Sequence, residues 1–243
     1  MTDQEINKII ERAQEWFYEE VVPSHRKNTV KLKNIKEFKI NPFLLSYLTK
    51  FSKENITAKN LAETLIYPRA MGSSINTIFG NSMQNFANNV LGTLGSPIPG
   101  IDIEYTSTKD RRKKYCQMKA GPETINNPDV ETISRHFNET KRRARLNGTP
   151  LDQSDLIVGV SYGTASQLNG NYKKLINDHH YTVLAGAAFW EDITGDKNFY
   201  AKLINAFADC VAKYELNFAT EISAIIDELS KDPYLIELEQ YFA

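Results

Sequence analysis

The sequence predicts an α/β (α+β) fold, with a mixed central β-sheet flanked by helices. Three observations carry this. Strand-like segments gather in the middle of the chain, at 98–106, 114–120, 156–162 and 182–190. Helical periodicity dominates both ends, and one amphipathic stretch, 129–146, reads as a crossover helix between the second strand and the third. The chain has 243 residues, 41% hydrophobic and 24% charged, enough to bury a substantial core. That composition excludes disorder, a collagen-like repeat and a disulfide scaffold.

At the start, Thr2 and Glu5 form a capping box, and Ile6, Ile9, Ile10, Ala13, Trp16, Phe17 and Val21 recur at helical spacing. Pro23 is expected to end this helix. Further helices are predicted at 42–51, 57–67 and 73–91, the last rich in Asn and Gln. In the crossover helix Val130, Ile133, Phe137 and Ala144 share a side. Helices return at 196, and Pro233 opens the last. There Phe199, Leu203, Phe207, Val211, Tyr214, Phe218 and Ile222 read as packing or dimer surface. Trp16 and Trp190 are assigned to the core. Three segments follow: 1–70, a helical region supporting recognition or dimerisation; 71–195, the β-containing core; and 196–243, helices packed on that core.

Charge is balanced overall, 29 Lys+Arg against 30 Asp+Glu, but unevenly placed. Six basic residues and one acid lie between 25 and 39, and five basic residues with Asp110 lie between 109 and 114. Lys141, Arg142, Arg143 and Arg145 form a third cluster, whereas 191–243 carries eleven acids and four lysines. Basic patches on a neutral chain suit a polyanion met by one face, although any single run also suits a solvated surface. No stretch approaches the ~18 apolar residues of a membrane span, and no signal-peptide core opens the chain. Cys116 and Cys210 have no metal-site or disulfide spacing. A reduced, cytoplasmic setting without membrane contact is expected.

The informative stretch is Pro99-Gly100-Ile101-Asp102-Ile103-Glu104-Tyr105, followed by Tyr115-Cys116-Gln117-Met118-Lys119-Ala120. Each half alternates apolar and polar residues, and the basic run between them makes a hairpin tip. Burying Ile101 and Ile103 with Cys116 and Met118 places Ile103 opposite Met118, Asp102 opposite Lys119 and Glu104 opposite Gln117. A carboxylate, an amide and an ammonium then share one face. Phosphodiester hydrolysis needs a neutralised phosphate, an activated water and a stabilised leaving oxygen, which a carboxylate-held Mg²⁺ with a neighbouring lysine supplies. Asp102 would anchor the metal, Gln117 offer its amide oxygen and Lys119 act on the water. Alternating polar residues and cross-strand Asp–Lys pairs also occur in sheets without catalysis.

These residues resemble the PD-(D/E)XK nuclease signature, with Pro99, Asp102, Gln117 and Lys119 at its motif positions. The run Gln117-Met118-Lys119-Ala120-Gly121-Pro122-Glu123-Thr124-Ile125-Asn126 resembles a group of type II restriction endonucleases, and Tyr162-Gly163 after the third strand fits the same group. The resemblance spans about 72–163. It implies a restriction-endonuclease-like fold with 71–195 as the nuclease core. It also implies Asp102, Gln117 and Lys119 as catalytic residues, and a Mg²⁺ site built from Asp102, Gln117 and Met118. The implied activity is cleavage of both strands of double-stranded DNA at a short palindromic site, by a homodimer in a bacterial or archaeal cytoplasm. Gln117 departs from the usual Glu and leaves open whether one metal or two are held. Glu104, Glu63, Gln84 and Asn85 are the candidates to assist.

Lys109, Arg111, Arg112, Lys113 and Lys114 at the hairpin tip are expected to meet phosphates, as are Lys141, Arg142 and Arg145. Asn126, opening the crossover helix, suits a phosphate or an ordinary cap. Ser166, Gln167 and Asn169 in the 163–172 loop are candidates for base contacts, or plain surface. His179-His180 lacks metal-ligand partners. A repair or structure-selective nuclease on the same fold, and a catalytically silent DNA-binding protein, are the alternatives; the presence of both Asp102 and Lys119 argues against the silent one.

Overall fold

A computed structural model describes residues 1–242, apart from the side chains of Gln84 and Thr93. Helix α1, Asp3–Trp16, opens on the expected Thr2–Glu5 capping box. A π-helical turn, Phe17–Val21, leads into α2, Val22–Lys31. Pro23 therefore does not end the helix. It lies in the first turn of α2, where a missing N–H removes no internal hydrogen bond. Helices α3 (Pro42–Ser52), α4 (Ala58–Pro68) and α5 (Ile75–Asn89) follow. The hairpin is β1 (Ile103–Thr106) and β2 (Lys113–Lys119), and α6 (Asn127–Leu146) crosses to β3 (Leu156–Val160). After α7 (Gly170–Asn177) come β4 (Thr182–Ala185), α8 (Ala187–Thr194), α9 (Phe199–Lys213), α10 (Phe218–Leu229) and α11 (Pro233–Gln240).

The four strands form one mixed sheet in the order β1-β2-β3-β4, antiparallel at the hairpin and parallel beyond it. The hairpin register differs from the predicted one. Ile103 lies opposite Cys116 and Glu104 opposite Tyr115, two residues from the expected pairing. Side-chain alternation has a period of two, so it sets which face a residue takes but leaves a two-residue shift undecided. The loop decides it: Ser107 N–H donates to Arg112 O at 2.9 Å and Arg111 N–H to Ser107 O at 3.0 Å, closing the ladder at Thr106 and Lys113.

Three predicted strands are shorter than expected, the third only by ending at Val160. Residues 98–101 turn instead of pairing, with Ile101 N–H on Ile98 O at 3.0 Å and Gly100 at φ +81°. The fourth strand stops at Gly186, whose φ of +50° turns the chain into α8. Helix α7 replaces part of the predicted 163–172 loop, because Asn169 caps it by accepting from Asn171 and Tyr172 N–H.

Contacts group the chain into two units, Met1–Phe17 with Phe79–Asp209, and Tyr18–Ile78 with Cys210–Ala243; the sequence suggests cuts near 70 and 195. In the first unit α6 and α7 cover one sheet face, where Ile133, Phe137, Tyr172 and Leu175 pack against Leu156, Val158 and Val160. On the other, the Phe189 ring occupies the space a side chain at Gly159 would need. Trp190 is buried beside it, its indole N–H on Ser161 O at 2.8 Å, and Trp16 meets Phe86 edge-on at 4.9 Å. Both tryptophans are core residues, as expected. The second unit packs α4 against α3, α10 and α11 around Leu45, Leu61, Ile66, Ile226 and Leu235.

Buried acids tie down the turn end of the hairpin. Asp192 accepts from Tyr105 O–H at 2.8 Å and Ser107 O–H at 2.5 Å. Asp155 accepts from both Arg112 and Lys114. Burial opposes ionisation of Asp155, but hydrogen bonds from Arg112, the Asp152 N–H and Lys114 outweigh it and bring its pKa down to about 2. The folded pKa lies below the ordinary 3.8, so this stabilisation is complete above the ordinary value and is lost as pH falls towards about 2. Asp155→Asn is expected to cost about 3 kcal/mol at neutral pH by leaving Lys114 buried beside a neutral group. Denaturant unfolding at pH 7 and near pH 2.5 checks this: the deficit shrinks at the lower pH.

Candidate active site

The hairpin turn places the carboxylate. Asp102 immediately precedes β1; its N–H donates to Cys116 O at 2.9 Å and its Oδ2 accepts from Met118 N–H at 2.6 Å. Asp102, Met118, Lys119, Ala120 and Thr124 then line one cavity of about 270 Å³, joined by Gly80, Asn81 and Met83 from α5. Asp102 and Lys119 thus share a cavity, as expected, although they are not the cross-strand pair the sequence suggested. Burial raises the Asp102 pKa above its ordinary value; Met118 N–H, Lys119 and His136 offset this only in part.

Gln117 is buried, and its orientation follows from one neighbour. The side-chain nitrogen faces the Gly100 carbonyl, which can only accept, so that branch of the amide must be Nε2. The same nitrogen lies 2.7 Å from His136 Nδ1. With Nε2 as donor, Nδ1 accepts and the imidazole is the neutral form protonated on Nε2. Burial lowers the His136 pKa, and Arg135 and Lys119 push in the same direction, which favours that form. The amide oxygen is left as the branch able to meet a cation. Gly100 closes the group: a Cβ there would sit 2.3 Å from the His136 ring.

The 120–126 string after β2 has local structural work to do. Thr124 O–H donates to Gly121 O at 2.8 Å and Tyr172 O–H reaches the same carbonyl at 2.8 Å. Ile125 O accepts from Asn169 at 3.0 Å and Asn171 at 3.1 Å, and Asn126 caps α6 through a reciprocal bond with Asp129. This ties the end of the lysine strand to the starts of α6 and α7.

The other expected site residues divide sharply. Lys114 is buried between Asp110 and Asp155, Arg112 pairs with Asp152 and Asp155, and Lys113 pairs with Glu104 at 2.5 Å. Lys109 and Arg111 are exposed with no ion pair among the described residues. Lys141 donates to Gln153 and Arg142 is held by Glu139, whereas Arg145 is exposed. Ser166 is exposed, Gln167 accepts from Thr164 N–H at 2.9 Å, and Asn169 serves as the α7 cap.

Of the candidate assisting acids, Glu104 is taken by Ser96 and Lys113, and Glu63 pairs with Lys53 in the second unit. Asn85 is exposed, and the Gln84 side chain lies outside the described residues. Asn81 and His136 are the site residues that sequence reading missed. Asn81 lies on the polar helix before the hairpin, so that helix's Asn content was a signal; nothing in the sequence links His136 to Gln117.

Among the described residues no three His, Cys, Asp or Glu side chains gather as a metal-ligand group. Mg²⁺ prefers oxygen donors and usually keeps several waters, binding through one or two carboxylates and substrate phosphates. Asp102 and Met118 line the cavity and Gln117 does not; one carboxylate, one main-chain carbonyl and one amide are oxygen donors of the kind a hydrated Mg²⁺ takes, at the lower end of its charge requirement.

A four-stranded mixed sheet flanked by helices, with an acid just before β1 and a lysine at the end of β2 on one cavity, is consistent with a restriction-endonuclease-like fold. The family model for type II restriction endonuclease EcoO109I matches residues 4–215, and the chain belongs to that family. It is therefore a DNA nuclease of the restriction type. No curated protein matches the chain. Among the described residues no helix is long and apolar enough to cross a membrane.

Gly100→Ala is expected to destabilise the fold by about 2 kcal/mol through a strained φ and a clash with the imidazole. Urea unfolding checks this, and a change within about 0.5 kcal/mol would contradict the close approach.

Proposed function

We propose that the chain is a Mg²⁺-dependent type II restriction endonuclease that cuts both strands of duplex DNA at a short palindromic site as a homodimer. Asp102, Gln117 and Lys119 are its catalytic residues. The observation that carries this reading is the placement of Asp102 and Lys119 on one cavity at the end of the hairpin, in a chain of this family. Asp102, the Gln117 oxygen and the Met118 carbonyl would hold the metal. When bound, Mg²⁺ supplies charge neutralisation at the phosphate and a more acidic water.

The chain's own groups do the rest. Lys119 orients the attacking water and balances negative charge as it develops on the phosphate. The raised Asp102 pKa favours binding a cation over remaining an unpaired buried anion. His136, through Gln117 Nε2, keeps the amide oxygen turned towards the metal. Of the residues expected at phosphates, Lys109, Arg111 and Arg145 are exposed and outside any ion pair among the described residues, and α6 also carries Lys141 and the exposed Arg142; Arg112, Lys113 and Lys114 shape the hairpin that presents the tip. Asn126 and the Ser166–Asn169 segment lie at helix starts that suit phosphates or base edges. Substrate DNA inside a bacterial or archaeal cell places the enzyme in the cytoplasm. A catalytically silent DNA-binding protein is the reading that the single carboxylate favours, and the shared Asp102–Lys119 cavity weighs against it.

Asp102→Ala and Lys119→Ala are each expected to lower cleavage at least about 1,000-fold while duplex binding without divalent metal is retained. Cleavage assays beside gel-shift measurements check this; either variant cutting at the parental rate contradicts the assignment.

His136→Ala is expected to weaken apparent Mn²⁺ affinity roughly 10-fold, to recover in His136→Asn, which keeps an acceptor, and to add nothing in a Gln117→Ala background. Calorimetric Mn²⁺ titration without DNA reads this directly. Equal losses in both backgrounds would remove His136 from the metal site.

A further inference from the structure

Helix α3 is apolar on both sides. Its inner side packs through Leu45 and Thr49, with Thr49 O–H on Thr64 Oγ1 at 3.1 Å. The outer side of a surface helix is normally polar. Here it carries Phe43, Leu44, Tyr47, Leu48 and Phe51, exposed by 85%, 59%, 62%, 48% and 79%. These positions recur at helical spacing, so they form one stripe along the outer face. The stripe is preorganised: Asn41 caps α3 by accepting from Phe43 and Leu44 N–H, and the Tyr47 and Phe51 rings stack 6.1 Å apart.

Such a face needs an apolar occupant. With aromatic side chains offering about 150–250 Å² each, the five residues expose on the order of 700 Å², more than the largest apolar patch of a typical monomer. Doubled across a two-fold axis this is roughly 1,400 Å², within the range of a stable protein interface. The nearby cations are already engaged, Lys50 on Glu54 O at 2.6 Å and Lys53 on Glu63 at 2.5 Å, so the face does not present free positive charge to an anion. An antiparallel arrangement keeps the two lysine-bearing helix ends apart and opposes the helix dipoles. A two-fold at Tyr47 then sets it against its own copy and Phe43 against the partner's Phe51.

We propose that the outer face of α3 is the surface on which two copies of this chain associate. This rests on the homodimer reading above and names where the dimer forms. It places the interface on the second unit, whereas the residues of the hairpin cavity belong to the first.

Sedimentation equilibrium of the full chain, with and without the Phe43→Ser/Phe51→Ser pair, tests it. Both exchanges are at exposed positions, and circular dichroism checks that the fold is kept. The expected result is a dimeric wild type and a dissociation constant at least about 100-fold higher in the variant. The native cysteines are buried, so an introduced thiol is a clean second probe. Tyr47→Cys is expected to form a disulfide-linked dimer under mild oxidation, whereas Phe43→Cys links efficiently only when mixed with Phe51→Cys. A dimeric wild type whose Phe43→Ser/Phe51→Ser variant stays dimeric, with Tyr47→Cys unlinked, overturns the surface and leaves the homodimer standing. A monomeric wild type that cleaves DNA overturns the homodimer itself. A monomer that instead floats with anionic phospholipid vesicles assigns the face to a membrane and also overturns the proposal.

Discussion

A strand end with no neighbour sets the geometry of the site. β1 pairs with β2 only as far as Ile103 and Cys116, so the N–H of Met118 on that edge has no ladder partner from β1. Asp102 supplies one from its side chain at 2.6 Å. A carboxylate oxygen is a stronger acceptor for N–H than a carbonyl, and a buried N–H left unpaired is costly. The bond that completes the ladder therefore also fixes the acidic group beside the lysine strand. One Asp102 oxygen is committed to the backbone, and the other remains for chemistry.

The same economy governs charge around the hairpin. The run 109–114 looks like a uniform cationic tip, but Arg112 and Lys114 neutralise the buried Asp155, and Lys113 neutralises Glu104. These pairs hold the strands in place, and removing one partner from a buried pair costs more than the pair's net contribution. Lys109 and Arg111 carry the exposed charge that no ion pair takes up among the described residues. Glu104 is held in this scaffold, so in the proposed site Asp102 is the carboxylate and the Gln117 amide, oriented by Gly100 and His136, its neutral companion. A neutral companion lowers the attraction for a cation, but it also avoids placing a second anion against the Gly100 carbonyl.

Much of the fold was legible because it depends on local rules. Alternation marked the two hairpin strands and strand signals the other two regions, the Val130–Ile133–Phe137 stripe identified the crossover helix, and the Thr2 capping box marked the first helix. Pro23 misled because a π-helical turn lets proline begin a new helix instead of ending the old one. The hairpin register was misread because hydrophobic pattern carries parity only. Asp102 and Lys119, singled out by motif and spacing, line one cavity, and the family match covers residues 4–215. His136 was not legible: it approaches Gln117 from α6, a contact between elements that no spacing rule encodes. Nor was the internal pairing of Lys114, since burial, unlike charge, cannot be read from a basic run.

The most direct measurement is digestion of plasmid and phage DNA of known sequence by the wild-type protein, with Mg²⁺ and with EDTA, followed by end-sequencing of the fragments. A site-specific Mg²⁺-dependent endonuclease yields discrete bands only with the metal, with ends that share one two-fold symmetric sequence. A metal-independent pattern, a featureless smear, or DNA left intact in both Mg²⁺ and Mn²⁺ would contradict it.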